Sequence, residues 1–165
     1  MIVAPPRDPA AKVRDLDSAA RWRQSHAGRV VFTNGVFDLL HPGHVDALLG
    51  ARQCGDALIV GVNSDASVRR LKGPDRPMRS EVDRAYVVAA LETVDCVVLF
   101  DDDTPLKLVT ALRPDVLVKS ADYTEATIVG AAEVRAWGGE VRIVPLTPGQ
   151  STTNIINALR GHSIR

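Results

Sequence analysis

The 165-residue sequence has only two cysteines, Cys54 and Cys96, and neither has a second cysteine or a histidine nearby at metal-ligand spacing. This scarcity argues against a disulfide framework and against a zinc site. It favours two small buried thiols in a reducing compartment. We therefore assign no side chain as a metal ligand at this stage.

The sequence also lacks an excess of charge and any long apolar run. Its 20 Lys and Arg residues balance 20 Asp and Glu residues, so no global field attracts nucleic acid or an anionic membrane. The N-terminal stretch has no apolar segment of signal-peptide length, and no uninterrupted apolar run approaches the span of a bilayer. We expect a cytoplasmic protein that binds neither nucleic acid nor membrane.

What the sequence does contain is a regular alternation of short apolar strands and helices. A helix is predicted over residues 10–26, followed by strands near 29–34, 57–63, 96–100, 115–118 and 140–144. Helices are predicted between these strands, including one over 125–137, and a closing helix over 151–160. Such a pattern is typical of a parallel sheet covered by helices on both faces. We divide the chain into an N-terminal arm and helix (1–28) and a main domain (29–165).

The loop after the first main strand combines glycines with two histidines. Gly35 and Gly43 permit close approach of the backbone, and His41 and His44 can face the same side of a helix start. The free amides and positive dipole of that helix end favour an anion, and two imidazoles there suit phosphoryl transfer. The alternative is that both histidines are structural. Asp38 has three possible roles, ranked as holding a backbone turn, orienting a histidine or contacting magnesium.

A basic segment follows the second main strand. Arg69, Arg70 and Arg79 are typical of a solvated basic face. Lys72 and Arg76 border a glycine- and proline-containing loop at the functional edge of the sheet. A lysine there can neutralise charge on a transferred phosphoryl group, and an arginine can hold phosphate in a bidentate manner.

Two further loops carry candidate ligand groups. Ser151, Thr152 and Thr153 precede the closing helix, where one hydroxyl suffices as a cap and three can form a phosphate cradle. Lys119 and Asp122 follow the fourth main strand and can contact phosphate or sugar hydroxyls. The alternative for this last loop is a surface turn with a helix cap.

The segment from Gly35 to His44, which reads G-V-F-D-L-L-H-P-G-H, resembles the signature of the cytidylyltransferase-like nucleotidyltransferases. The resemblance implies a Rossmann-like core in which the two motif histidines bind the nucleotide phosphates. Combined with the strand pattern, it predicts an α/β fold of the Rossmann-like three-layer α/β/α type with a five-stranded parallel sheet. A nicotinamide-dependent dehydrogenase is disfavoured, because no G-x-G-x-x-G follows the first strand.

Residues 63–77, 117–123 and 149–156 narrow the resemblance to the bacterial heptose-1-phosphate adenylyltransferases. It implies transfer of AMP from ATP to D-glycero-β-D-manno-heptose 1-phosphate, giving ADP-heptose and pyrophosphate by in-line attack at the α-phosphate. Mg²⁺ would be carried by ATP. The product would feed lipopolysaccharide core synthesis, and the family resemblance favours a homodimer.

The resemblance also implies a role for each candidate residue. His41, His44 and Lys72 would be catalytic. The nucleotide would contact Thr33, Asn34, Gly35, Phe37, Asp38, Gly43, Arg76, Ser151, Thr152 and Thr153. The sugar phosphate would contact Asp65, Lys119 and Asp122.

Two departures from the family pattern leave alternatives open. Many relatives carry a sugar kinase domain, which this sequence lacks, so a separate kinase is expected to supply the acceptor. Ser120 and Ala121 replace two glycines of the family pattern, and the added side chains narrow a pocket wall, which leaves the acceptor sugar open. The alternatives are a cytidylyltransferase acting on glycerol phosphate or a related polyol phosphate, and a non-catalytic nucleotide-binding regulator.

Overall fold

The fold is built on one parallel sheet of six strands, seen in a computed structural model that describes residues 7–121 and 124–161. The order in the sheet is β1-β4-β3-β2-β5-β6, and every pairing is parallel. This confirms the predicted Rossmann-like α/β fold, but the predicted number of five strands is wrong. The strands are β1 (Val13–Arg14), β2 (Val30–Gly35), β3 (Ala57–Asn63), β4 (Cys96–Phe100), β5 (Val116–Ser120) and β6 (Glu140–Val144).

The extra strand comes from a segment that the sequence pattern assigned to a helix. Residues 9–12 form a 3₁₀ turn, and β1 then pairs with Val97 and Val98 of β4. The helix α1 (Leu16–Ser25) starts only after Asp15, whose carboxylate accepts a hydrogen bond from the Ser18 amide at 2.7 Å. A strand of two residues is too short to show the alternation of apolar and polar residues that predicts a strand, so only its pairing with β4 identifies it.

Six more helices follow α1 within residues 7–121 and 124–161. The helix predicted over 125–137 is interrupted, because Gly130 adopts φ 91° and a Cβ there would lie 2.9 Å from Val109 Cγ1. No helix in the described ranges combines the length and apolar character needed to cross a bilayer. The helices are α2 (Pro42–Arg52), α3 (Asp65–Lys72), α4 (Glu81–Ala89), α5 (Leu106–Leu112), α6 (Ala131–Ala136) and α7 (Thr152–Gly161), with a 3₁₀ turn at Glu125–Thr127.

Two apolar clusters form the core. Successive strand residues point to opposite faces, so Phe32 packs in a cluster with residues of α1, α5 and α6, while Val31 packs in a cluster with residues of α2 and α4. Phe32 is fully buried, and full burial of such a side chain contributes about 1.5–3 kcal/mol. The apolar strands are therefore held between helices.

The topology determines where a ligand can bind. The chain runs from β2 to β3 and β4 on one side, and returns to β5 and β6 on the other. This makes the gap between β2 and β5 a topological switch point, where ligands bind in doubly wound sheets beyond the carboxyl ends of the strands. Residues 36–44, which carry His41 and His44 and are called the histidine loop below, begin at that end of β2.

Candidate active site

The two histidines lie at the start of α2. The chain leaves β2 through Phe37, which adopts φ 49°, and reaches His41 in an extended conformation directly before the helix. The His41 carbonyl accepts a hydrogen bond from the His44 amide at 2.9 Å. The two imidazole rings are stacked, with centroids 3.8 Å apart and planes inclined by 22°.

Burial disfavours the charged form of both imidazoles. Desolvation lowers the pKa of His41. For His44, desolvation and then the neighbouring His41 lower the pKa to about 4, against opposing contributions from the Leu39 backbone and the charge of Asp38. The Nδ1 atoms of both rings are buried and have no hydrogen-bond partner among the described residues.

Gly43 allows the histidine loop to approach the segment that leads into α7. A Cβ at this position would lie 2.9 Å from Gln150 Cβ and 3.1 Å from His41 Cε1 and Nδ1. Any side chain would therefore displace either the ring or the neighbouring segment.

Two adjoining cavities open around the histidines. The first cavity measures about 360 Å³ and the second about 540 Å³. Their shared wall consists of Asn34, Gly35, Val36, Phe37, His44, Lys72 and Thr152. The remaining predicted residues of the first cavity are Thr33, His41, Gly43 and Ser151, and those of the second are Asp38, Arg76, Lys119 and Thr153. The structure thus brings nearly all predicted site residues into one cleft.

Two predicted residues are not placed in this cleft. Asp65 lines neither cavity, because its carboxylate accepts a hydrogen bond from the buried Arg84 guanidinium at 2.8 Å. Asp122 lies outside the described residues. The sugar-side role expected for Asp65 therefore has no geometric support.

Asp38 fastens the loop between α3 and α4 to the histidine loop. Its almost wholly buried carboxylate accepts hydrogen bonds from Arg76 Nε at 2.7 Å and from the amides of Met78 and Arg79 at 2.7 and 3.1 Å. These contacts match the turn-holding role, which ranked first among the three interpretations.

Arg84 braces the same region from inside the protein. Its fully buried guanidinium donates to the carbonyls of Val36, Asn63 and Arg79 at 2.6–3.0 Å, and to Asp65. The sequence groups Arg84 with a basic run, where nothing distinguishes it from its solvated neighbours. The structure shows that it connects the ends of β2 and β3 to the loop behind the cleft.

Three contacts organise the other side of the switch point. Lys119 is buried at the end of β5, and its Nζ donates to Asn34 Oδ1 at 2.5 Å. Ser151 Oγ accepts from the Asn154 amide at 3.0 Å and so caps α7. Thr152 Oγ1 donates to the Leu39 carbonyl at 3.4 Å, which holds the start of α7 beside the histidine loop.

Sequence reasoning missed several polar residues of the second cavity, among them Asp103 and Thr104. These two lie after β4 in an acidic run that reads as the start of a helix. Asp103 Oδ1 accepts a hydrogen bond from Arg70 Nε at 2.8 Å, so Arg70 is paired rather than merely solvated. Their position beyond the carboxyl end of a parallel strand is the signal that identifies them.

No group of three or more His, Cys, Asp or Glu side chains within the described residues is arranged to hold a metal ion. The cleft offers imidazole, lysine, amide and hydroxyl groups, which are partners for phosphate oxygens.

The fold and the cleft define a Rossmann-like α/β domain with a histidine-lined cleft at its switch point. Residues 32–158 match the Cytidylyltransferase-like family, and the chain belongs to that family. This confirms the resemblance predicted from the histidine motif and the predicted class of nucleotidyltransferase enzymes.

Curated relatives of this chain include two proteins named Bifunctional protein HldE. The one from Methylobacillus flagellatus is 56% identical over 155 residues, which is 91% of this chain and 31% of the relative. The one from Acidiphilium cryptum is 58% identical over 144 residues, or 87% of this chain and 29% of the relative. The chain spans about a third of the length of these relatives.

Solved structures support the fold. A lipopolysaccharide core biosynthesis protein from Thermoplasma volcanium is 30% identical with a TM-score of 0.61, and the match covers 73% of this chain and 98% of that protein. A pantoate–β-alanine ligase from Francisella tularensis, complexed with an ATP form and β-alanine, has a TM-score of 0.60 over 92% of this chain and 78% of its own. At 13% identity, the ligase shows the shared fold alone.

Proposed function

We propose that this chain transfers AMP from ATP to D-glycero-β-D-manno-heptose 1-phosphate, giving ADP-heptose and pyrophosphate. One observation carries the proposal: His44 and Lys72 lie on the wall that two adjoining cavities share. A reaction between two bound phosphate groups needs hydrogen-bond donors and positive charge where the two cavities meet. The resemblance to heptose-1-phosphate adenylyltransferases and the relatives named HldE supply the choice of substrates.

The nucleotide fits the first cavity. None of the described residues that line it is acidic, and both histidines and Lys72 contribute to its wall. A triphosphate there would meet the amide ends of α2 and α7, which favour anions. The imidazoles would donate hydrogen bonds to its oxygens, and a bound polyphosphate would raise their pKa values from the lowered values of the empty site.

The acceptor fits the second cavity, whose wall includes Lys72, Arg76 and Lys119. An oxygen of the sugar 1-phosphate would attack the α-phosphorus in line, and the bond to the leaving pyrophosphate would break. The acceptor phosphate is already anionic, so neither a general base nor a covalent enzyme intermediate is required. Lys72 would offset charge on the transferred group, while His44 would hold the nucleotide in place.

Magnesium would be held chiefly by the oxygens of the triphosphate, where it would neutralise charge on the leaving pyrophosphate. The side chains of the cleft would bind and orient the phosphates around it. We further propose a three-layer α/β/α arrangement with a nucleotidyltransferase domain over residues 29–165, preceded by the arm and helix of 1–28. A cytoplasmic homodimer, supplied with acceptor by a sugar kinase, completes the proposal.

A pyrophosphate-release assay tests the reaction. Four nucleoside triphosphates are combined with a panel of sugar 1-phosphates and with glycerol 3-phosphate. We expect kcat/KM to be highest for ATP with the heptose 1-phosphate. A preference for CTP with glycerol phosphate would establish the cytidylyltransferase instead, and a lack of release with every pair would leave a nucleotide-binding regulator.

A further inference from the structure

The charged groups of the second cavity are unevenly distributed. His44 and Lys72 lie on the wall shared with the first cavity, whereas Asp103 and Thr104 come from the loop after β4 and line the second cavity only. In the sheet, β4 lies two strands away from β2, which corresponds to about 10 Å. Arg76, which pairs with Asp38, and Lys119, which donates to Asn34, also line this cavity, so its cations gather near β2 and Asp103 lies at an end remote from them.

The carboxylate at the remote end is held by an ion pair with the exposed Arg70 guanidinium, which offsets part of its charge. Asp103 Oδ1 accepts from Arg70 Nε, and the Asp103 side chain is 62% exposed. No hydrogen bond to Asp103 Oδ2 is found in the described part of the chain. Asp38, the other carboxylate of this cavity, is almost wholly buried and already accepts three hydrogen bonds.

Resting on the proposed function, we propose that Asp103 and Thr104 select the acceptor by the end remote from its reacting phosphate. They favour free hydroxyls at that end and disfavour a second phosphate.

The chemistry of the Asp103 carboxylate and the Thr104 hydroxyl explains why hydroxyls are preferred over a second phosphate. A carboxylate only accepts hydrogen bonds, so it pairs with the hydroxyls of a polyol, and the threonine hydroxyl can both donate and accept. A second phosphate would bring close to two negative charges toward the carboxylate, and like charges repel in a partly desolvated cleft. The acceptor cannot avoid this by turning round, because its reacting phosphate must lie at the shared wall.

The experiment compares heptose 1-phosphate with the same sugar carrying a second phosphate on its terminal hydroxyl. The ratio of the two kcat/KM values is measured for the wild type, Asp103→Asn and Asp102→Asn. Asparagine keeps the size of the side chain and can still accept from Arg70. Asp102 is the matched control, because it lies in the same exposed loop but does not line the second cavity.

We expect the wild type to prefer the monophosphate, and Asp103→Asn to reduce that preference by roughly five- to tenfold, as expected for removal of one screened charge. The KM for ATP and the ratio for Asp102→Asn should stay unchanged. Thr104→Val, which removes a hydroxyl but no charge, should raise the acceptor KM without altering the ratio.

Equal ratios in the wild type and Asp103→Asn would overturn the proposal, as would an effect of Asp103→Asn confined to the KM for ATP. If the wild type released no pyrophosphate with either sugar, the proposed reaction would fail. The same two sugars titrated calorimetrically into the two proteins would still decide whether Asp103 selects by charge.

Discussion

The rings of His41 and His44 are stacked with their centroids 3.8 Å apart, a geometry that disfavours a positive charge on both. Desolvation lowers the pKa of both rings, and the neighbouring His41 lowers that of His44 further. The empty site therefore disfavours the charged form of both imidazoles at the amide end of α2. The two imidazoles can donate hydrogen bonds to a phosphate without first breaking a salt bridge.

Removing one ring should impair the reaction. His44→Ala is expected to lower kcat on the order of a hundredfold or more, as for loss of one preorganised donor in an active site. His26→Ala is the matched control, because its ring contacts Trp22 and lines neither cavity. Steady-state pyrophosphate release measures both, and a near-normal rate for His44→Ala would mean that the site is misplaced.

The lowered pKa of His44 predicts a specific pH dependence of stability. Between the ordinary value of 6.5 and about 4, the unfolded chain binds a proton at this residue that the folded chain does not. The free energy of unfolding should therefore fall as the pH is lowered through this window. Urea denaturation across the window should show a shallower fall for His44→Gln than for the wild type. Parallel curves would contradict the burial argument.

Gly43→Ala tests the close packing between the histidine loop and the segment before α7. The new Cβ would lie 2.9 Å from Gln150 Cβ, so one of the two segments must shift. We expect kcat/KM to fall on the order of tenfold, because small misplacements of reacting groups are costly. Gly161→Ala, whose Cβ would meet nothing within 4 Å, should behave like the wild type.

Arg84→Met should destabilise the fold. It leaves Asp65 and three carbonyls without their donor, and breaking a buried ion pair costs about 3–5 kcal/mol. Arg79→Ala removes only an exposed pair with Asp83, for which about 0–1 kcal/mol is expected. Equilibrium denaturation distinguishes the two variants, and similar losses for both would show that Arg84 is not the brace described above.

Much of the fold follows from local patterns. The observed bounds of β3 and β4 coincide with those predicted, because each is an apolar run of strand length that ends at a polar residue. Strand β1 was not predicted, since two residues carry no periodicity and only the pairing with β4 defines them. The interruption near Gly130 depends on the positive φ of that single residue, which the helical pattern does not reveal.

In the candidate site, too, local motifs predict some residues, and contacts between distant segments determine others. His41 and His44 are close in sequence, so their motif reveals them directly. Asp65 follows a strand end, which is a common position for a ligand-binding group. In the structure its carboxylate accepts a hydrogen bond from Arg84, which is distant in sequence, and does not line the cleft. Asp103 follows β4, and the order of strands in the sheet places the end of β4 beside the second cavity. Contacts of this kind depend on sheet order, which a single sequence does not display.

A crystal structure with a non-hydrolysable ATP analogue tests the central claim most directly. The account predicts that the triphosphate lies in the first cavity at the start of α2, with phosphate oxygens within hydrogen-bonding distance of His41 and His44. A nucleotide bound elsewhere, with the two Nδ1 atoms still unpartnered, would contradict it.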